Sequence, residues 1–283
     1  MDKHHYFNLY IHDDQELAVY IGGEIAARET LHEWPLSCVA RVTTRQGQWI
    51  YKSQFGPTVE AEFYAAVRSD LLGQVQTIYR ADGHACTLRD YVDAPLIEDL
   101  KLDEAQAAEI VRQVRARMSE IEGDLPYLYD IHTPDRWLAL VTGTLQDITA
   151  LIAQGQYTVT TPEMVSGLQH WAQSSSTVEA VQRQPGLVHG DFHGDNLFIL
   201  PGGGYRVIDW QRPFWGPTEL DVAAMMDSLG FDPLNHVSPG IVQIGHFMLI
   251  HWFSQCATRW FPEAAESYDR STVELALKIQ SLS

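Results

Sequence analysis

The sequence predicts an α+β protein with two lobes, a small lobe built on an antiparallel sheet and a mainly helical lobe after it. Alternating polar and apolar residues are frequent up to residue 93, and helical periodicity dominates from residue 102 onward. Of the 283 residues, 45% are hydrophobic and 20% are charged, which is typical of a globular protein. The pattern changes at Asp93-Ala94-Pro95, so we predict lobes at residues 1–93 and 94–283.

The small lobe reads as strands with one helix. Two alternating segments flank Arg45-Gln46-Gly47, which is a typical hairpin turn. Phe63, Val67 and Leu71 recur at helical spacing and predict a helix over Thr58–Leu72. The predicted strands are Val39–Thr44, Gln48–Ser53, Gln76–Tyr79 and Ala85–Tyr91.

The second lobe reads mainly as helices. Val111, Val114 and Met118 form an apolar stripe in the first of them. Thr161 is placed to cap another, with Pro162 in the first turn, where the missing N–H costs nothing. The predicted helices include Leu102–Ile121, Arg136–Gln154, Pro162–Gln182 and Ile241–Phe253.

Charge and cysteine content limit the partners and the compartment. The net charge of −18 disfavours nucleic acid and anionic membranes, and it would concentrate a cationic partner. The apolar segment Ile241–Phe253 is too short to span a bilayer, and the N-terminus lacks the pattern of a signal peptide. Cys38, Cys86 and Cys256 form no disulfide framework, so we expect a cytoplasmic protein.

The chemistry is concentrated between residues 187 and 221. Leu197–Leu200 and Tyr205–Ile208 flank the turn Pro201-Gly202-Gly203-Gly204 and predict a hairpin. Because the outer ends of a hairpin lie side by side, we expect Asn196 close to Asp209.

Asp191 lies five residues before Asn196, so two carboxylates and an amide surround this hairpin. Amide and carboxylate oxygens are the hard ligands that Mg²⁺ prefers, and a further carboxylate can accept a proton from an attacking hydroxyl. His189-Gly190-Asp191 with Asn196 reproduces the H-x-D-x-x-x-x-N spacing of a kinase catalytic loop, and Ile208-Asp209-Trp210 stands where D-F-G would. The pattern indicates phosphoryl transfer.

The sequence resembles the aminoglycoside phosphotransferase and choline kinase group. That group has an HGD-L/F-H-x-x-N segment, a hairpin and IDW or IDF; Leu220-Asp221-Val222-Ala223 also resembles its DLA helix start. The resemblance implies a protein-kinase-like fold and transfer of phosphate from ATP or GTP, with Mg²⁺, to a hydroxyl of a small molecule. It implies that Asp191 is the catalytic base, Asn196 and Asp209 bind Mg²⁺, His189 braces the loop, and Asp221 accepts hydrogen bonds from loop amides.

The resemblance also implies a phosphate-binding lysine in the small lobe and an acidic partner on the next helix. Lys52 is the natural lysine and Glu60 its partner, with Glu62 as the alternative. The hinge that meets the nucleotide base falls in Leu88–Asp93. Pro35–Arg41 stands where a G-x-G-x-x-G loop would be expected, so the choice between ATP and GTP is left open. No Walker motif occurs, which excludes a P-loop kinase.

Two rival functions share parts of this pattern. Residues 190–194 match the G-D-x-H-G start of metallophosphoesterases, but the later blocks of that family are missing. A catalytically silent binding module, or pseudokinase, typically loses the base or a metal ligand, and all three are retained here.

The sequence leaves the identity of the acceptor open but favours one chemical class. The acidic balance favours a cationic acceptor such as an aminoglycoside, a choline-like amine or an amino sugar, although a neutral acceptor also fits. Glu219, Asp227 and Asp232 lie where the family builds its acceptor pockets. His193 matches a common family histidine with no assigned step.

Overall fold

The structure is a computed structural model that describes residues 1–282. Contacts divide the chain into two compact units, which we call the sheet unit and the helical unit. The sheet unit comprises Met1–Lys101, Glu120–Leu128 and Gly194–Pro213; the helical unit comprises Leu102–Ser119, Tyr129–His193 and Phe214–Ser283. The lobe boundary at residue 93 stays a prediction.

The principal strands are β1 (Ile25–Trp34), β2 (Ser37–Thr44), β3 (Gln48–Phe55), β4 (Val75–Ala81), β5 (His84–Asp90), β6 (Pro185–Val188), β7 (Leu197–Leu200), β8 (Gly204–Val207) and β9 (Phe214–Pro217). The α-helices are α1 (Asp14–Ile21), α2 (Glu60–Ala66), α3 (Glu104–Met118), α4 (Pro134–Ala153), α5 (Pro162–Gln173), α6 (Ser175–Val181), α7 (Glu219–Ser228), α8 (Pro239–Gln255) and α9 (Ala265–Ser281). An antiparallel sheet in the N-terminal part and helices in the C-terminal part confirm the α+β class.

The sheet unit is built on a five-stranded antiparallel sheet in the order β1-β2-β3-β5-β4. Because side chains alternate along a strand, each strand separates two sets of residues. Ala40 and Val42 of β2, Tyr51 of β3 and Leu88 of β5 pack against Leu17 of α1 in one buried cluster. Ile50, Lys52 and Gln54 lie on the other face of β3.

The sequence missed two elements at the start of this unit. β1 is an edge strand with mostly exposed residues, so it lacks the alternation that marks a half-buried strand. Helix α1 begins with a reciprocal capping box between Asp13 and Glu16, a short signal before only eight helical residues.

Helix α2 is shorter than the predicted Thr58–Leu72. It ends at Ala66, because Val67 leaves the helix in an extended conformation and pairs with Gly123. The backbone of Gly123 has a φ of +126°, and a Cβ there would lie 2.3 Å from the carbonyl oxygen of Ala66. The close approach requires glycine and fixes the end of α2.

The predicted helix Pro162–Gln182 is two helices, α5 and α6. Ser174 adopts an extended conformation between them, and its hydroxyl accepts a hydrogen bond from the Thr177 N–H. Serine favours this capping position and so begins a new helix, although the apolar pattern continues across the boundary.

The helical unit has one large core that includes residues of α4 to α9. Trp137 of α4 is fully buried; its ring nitrogen donates to the Ala172 carbonyl at 3.0 Å, and its ring packs against Phe247 of α8. The buried helix predicted at Ile241–Phe253 is confirmed as part of α8. Among the helices described, none has the length and apolarity needed to cross a membrane.

Helix α9 is anchored by a fully buried carboxylate. Asp269 accepts hydrogen bonds from the N–H groups of Thr158 (2.6 Å), Val159 (2.7 Å) and Thr160 (2.9 Å), and from the Thr160 hydroxyl (2.6 Å). Burial by itself would raise the pKa of Asp269, but these hydrogen bonds to the ionised form outweigh it and lower the pKa.

Replacing Asp269 with asparagine should destabilise the protein by about 2–4 kcal/mol at pH 7, since an amide cannot accept all these bonds. A carboxyl with a lowered pKa contributes stability above its unfolded pKa of about 3.9, and that contribution is lost as pH falls further. Urea unfolding should therefore show a difference between the two proteins that shrinks towards acid pH. Glu266→Gln, at an exposed site on the same helix, is the control.

Candidate active site

Lys52 lies in the middle of β3, on the face opposite Tyr51. Its ammonium contacts Glu60 Oε2 at 2.7 Å and forms a short ion pair with Asp209 Oδ1. Lys52 and Glu60 are buried, and the Asp209 side chain is partly exposed. We call these three residues the lysine cluster.

Lys52 and Asp209 both keep their charges in the lysine cluster. Burial would lower the pKa of Lys52, but the carboxylates of Asp209 and Glu60 outweigh this and raise it. Burial would raise the pKa of Asp209, and the nearby ammonium holds it well below its usual value instead. Lys52 is therefore a cation held between two carboxylates.

Glu60, and not Glu62, is the residue next to the lysine. Glu62 forms an ion pair with Arg80 instead. Both acids lie in the first turn of α2, but residues two positions apart on a helix face different directions. The same rule puts Tyr64, four residues after Glu60, on the side of the lysine cluster.

The predicted hairpin is formed by β7 and β8. Leu197 pairs with Val207, and the Ile208 N–H donates to the Asn196 carbonyl at 3.0 Å. The backbone of Asn196 is therefore beside the residue that precedes Asp209. One carboxylate and one amide side chain supply hard oxygen donors at this hairpin end, and this donor set fits Mg²⁺.

The segment after Ile208 is docked onto α2 by contacts that the sequence did not reveal. Trp210 stacks on Phe63 with ring centroids 4.4 Å apart, and both are fully buried. The Tyr64 phenol lies near the backbone of Asp209, which opposes the rise in the pKa of Tyr64 that burial causes. Asp209, next to the stacked rings, has a φ of +69°, a left-handed conformation that is uncommon for a residue with a side chain.

The sequence carried only one weak signal of these contacts. The spacing of Tyr64 from Glu60 is helical, but nothing in the sequence linked it to Asp209.

The loop that carries Asp191, the predicted base, follows β6 in the helical unit, and we call it the catalytic loop. β6 pairs with β9, and the loop begins at His189, directly after Val188. The His189 N–H donates to both carboxylate oxygens of Asp221, at 3.1 and 3.0 Å. The His189 ring accepts a hydrogen bond through Nδ1 from the Asp191 N–H at 3.3 Å. Asp221 and His189 thus hold the backbone on which Asp191 sits.

Arg115 of α3 is a part of this arrangement that sequence analysis missed. Its guanidinium donates to Asp221 Oδ2 at 2.6 Å and to the Leu187 carbonyl at 3.1 Å. Burial lowers the pKa of Arg115, and Asp221 opposes that shift. Arg115 lies four residues after Val111 and three before Met118, so a cation beside the apolar stripe was the available signal.

Asp191 presents an accessible carboxylate. Its side chain is 28% exposed, and Gly190 before it has a φ of +81°. His193 Nδ1 lies 3.6 Å from Asp191 Oδ1, and the histidine is itself 44% exposed. The carboxylate is thus partly exposed, with an imidazole beside it.

The glycine-poor loop at Pro35–Arg41 is mostly strand. β1 and β2 are joined by Pro35 and Leu36, and the Leu36 carbonyl accepts a hydrogen bond from the Phe55 N–H at 2.8 Å. A hydrogen-bonded hairpin thus replaces a flexible glycine loop. Within the predicted hinge Leu88–Asp93, β5 ends at Asp90.

His4 braces this hairpin from the N-terminal segment. His4 Nδ1 accepts hydrogen bonds from the N–H groups of Tyr6 and Phe7, so Nε2 carries the proton and donates to Glu33 at 2.6 Å. Cys38 lies close enough to complete a possible metal-ligand group with these two residues. Because the ring nitrogen that faces Glu33 is protonated, we read the group as a structural hydrogen bond.

The three acidic residues expected near an acceptor have separate environments. Glu219 lies 3.7 Å from Arg183, Asp232 accepts a hydrogen bond from the Leu234 N–H, and Asp227 is exposed on α7. Their role near an acceptor stays a prediction.

We expect Arg115→Met to reduce stability by about 3 kcal/mol, because it leaves the Asp221 carboxylate buried without its counter-ion. The matched control is Arg112→Met on the same helix, where the ion pair with Glu109 is exposed and its loss should change stability little. Urea unfolding measures both. Equal small effects of the two substitutions would contradict the importance of the Arg115–Asp221 pair.

Comparison with known proteins places this geometry in a family. A sequence profile of the phosphotransferase enzyme family matches residues 41–252. Among curated protein sequences, none matches the chain.

Solved structures show the fold. A choline/ethanolamine kinase family protein from Mesorhizobium loti is 14% identical, with a TM-score of 0.65 over 95% of this chain and 92% of its own. A thermostable mutant of aminoglycoside phosphotransferase APH(4)-Ia, in a ternary complex with ADP and hygromycin B, is 13% identical, with a TM-score of 0.64 over 95% and 97%. Spectinomycin phosphotransferase APH(9)-Ia, in complex with ADP and spectinomycin, is 12% identical, with a TM-score of 0.55 over 96% and 99%.

These likenesses confirm the protein-kinase-like fold, and the profile match confirms the resemblance drawn from the catalytic segment. The matched residues include the lysine cluster, the hairpin and the catalytic loop. Since the match extends over most of the sequence, this chain belongs to the phosphotransferase enzyme family.

Proposed function

We propose that this protein is a small-molecule kinase that transfers the γ-phosphoryl group of ATP or GTP, with Mg²⁺, to a hydroxyl group. The observation that carries the proposal is the lysine cluster, Lys52 with Glu60 and Asp209. Burying charges costs free energy that their attraction often fails to recover. A buried cation between two carboxylates is therefore better explained by ligand binding than by stability.

Each residue of the lysine cluster has a distinct task in this proposal. Glu60 holds the Lys52 ammonium, which binds the α- and β-phosphates of the nucleotide. Asp209 and Asn196 would hold Mg²⁺, which neutralises charge on the phosphates when bound.

Asp191 acts as the base. Its carboxylate orients the acceptor hydroxyl and takes the proton as the oxygen bonds to the γ-phosphorus, while the bond to the β-phosphate oxygen breaks. His189, Asp221 and Arg115 keep the loop backbone in place. Positioning of this kind is a large part of the rate enhancement in phosphoryl transfer, since the protein contributes little covalent chemistry.

We propose an amine-bearing alcohol as the acceptor. The net charge of −18 would raise the local concentration of a cation. The names of the similar structures point to the same chemistry, with hygromycin B, spectinomycin and choline or ethanolamine among them.

Thermal unfolding with ATP or GTP, each with and without Mg²⁺, tests nucleotide binding. We expect one nucleotide to stabilise the protein in a magnesium-dependent way, by about 2.7 kcal/mol at one hundred times its dissociation constant. Asp209→Asn should lose the dependence on magnesium, whereas Asp227→Asn, at an exposed site, should keep it. Absence of any shift in the wild type would favour a silent binding module.

Asp191→Asn should lower kcat by about 10²- to 10⁴-fold, because the amide cannot accept the proton of the acceptor. Nucleotide affinity should stay unchanged. ADP or GDP release, first screened with aminoglycosides, amino alcohols and sugars, provides the assay. Unchanged turnover in this variant would remove Asp191 from the role of base.

A further inference from the structure

Gln211 lies two residues after Asp209 and bonds to it twice. Gln211 Nε2 donates to Asp209 Oδ1 at 2.7 Å, and the Gln211 N–H donates to the Asp209 carbonyl at 2.8 Å. The Lys52 ammonium also contacts Oδ1. In the hydrogen bonds described for residues 1–282, both side-chain donors to this carboxylate therefore reach the same oxygen.

Gln211 also connects Asp209 to helix α2. The Gln211 carbonyl accepts a hydrogen bond from the Val59 N–H at 3.0 Å, and Val59 directly precedes Glu60. Gln211 is thus anchored through its backbone to the helix that holds Glu60, while its side chain reaches the carboxylate. An anchored backbone makes the amide a fixed donor instead of a mobile one.

A carboxylate can rotate about its Cβ–Cγ bond, and two donors on one oxygen restrict that rotation. With Oδ1 occupied by Lys52 and Gln211, Oδ2 is the oxygen left to receive a cation. We propose that Gln211 is a positioning residue that sets the rotation of the Asp209 carboxylate and reserves Oδ2 for the magnesium ion of the nucleotide complex. This inference rests on the proposed function.

Gln211 can donate to the Asp209 carboxylate because its side chain is an uncharged amide. A glutamate here would have nearly the same shape, but its ionised carboxylate could not donate to Asp209 and would add a like charge beside it. An alanine would remove the donor and leave the backbone hydrogen bond to Val59 in place. These two substitutions therefore separate the hydrogen bond from the fold around it.

The test is calorimetric binding of the non-hydrolysable nucleotide AMP-PNP to the full chain over a series of magnesium concentrations. For Gln211→Ala we expect the magnesium concentration at half-saturation to rise about tenfold, the scale of one lost hydrogen bond to a charged group. AMP-PNP affinity without magnesium should stay within about twofold. Turnover at saturating magnesium should recover most of the wild-type value.

Gln48→Ala, at an exposed glutamine of β3, the strand that carries Lys52, is the matched control and should not change the magnesium dependence. Gln211→Glu should weaken magnesium binding at least as much as Gln211→Ala. A merely structural role would lower the melting temperature of both Gln211 variants and leave their magnesium dependence unchanged, which would overturn the proposal. Wild-type magnesium dependence in Gln211→Glu would overturn it as well.

The wild-type measurement separates this inference from the proposed function. Magnesium-dependent AMP-PNP binding in the wild type, with no change in Gln211→Ala, would remove Gln211 and leave the kinase standing. Failure of the wild type to bind either AMP-PNP or its guanine counterpart GMP-PNP with magnesium would overturn both.

Discussion

The Lys52 ammonium between Glu60 and Asp209 is the interaction on which the organisation of the sheet unit depends. It joins three elements that are far apart in sequence, namely strand β3, helix α2 and the segment after the hairpin. A buried cation of this kind forces its surroundings to supply carboxylates, since leaving it unpaired would cost several kcal/mol. The Trp210–Phe63 stack and the Gln211–Val59 hydrogen bond then reinforce the same three-way junction with uncharged contacts.

In the helical unit, two buried anions organise the neighbouring loops. Asp221 and Asp269 are both buried carboxylates that accept hydrogen bonds from backbone N–H groups of loops. One holds the start of the catalytic loop and the other holds residues 158–160. Loops lack regular hydrogen-bond partners, and a carboxylate with two acceptor oxygens can satisfy several donors at once.

The sequence predicted the parts of the fold that have strong local signals. The hairpin turn at Pro201–Gly204 and the catalytic spacing from His189 to Asn196 were visible because both are encoded within a few residues. The end of α2 was not, because it depends on the close approach of Gly123, more than fifty residues away. Arg115 and Gln211 were missed for a similar reason: their partners are identified only once the chain is folded, and arginine and glutamine carry no local signature of a buried hydrogen bond.

The tight crossing at Gly123 has a consequence for how this protein tolerates mutation. No other residue type fits there without pushing on the carbonyl of Ala66, and α2 carries Glu60 six residues earlier. A side chain at position 123 would therefore shift the helix that carries Glu60, the ion-pair partner of Lys52. Random mutagenesis screened for loss of activity should therefore find Gly123 alongside the chemically reactive positions. Its sensitivity would come from backbone packing, since glycine has no reactive side chain.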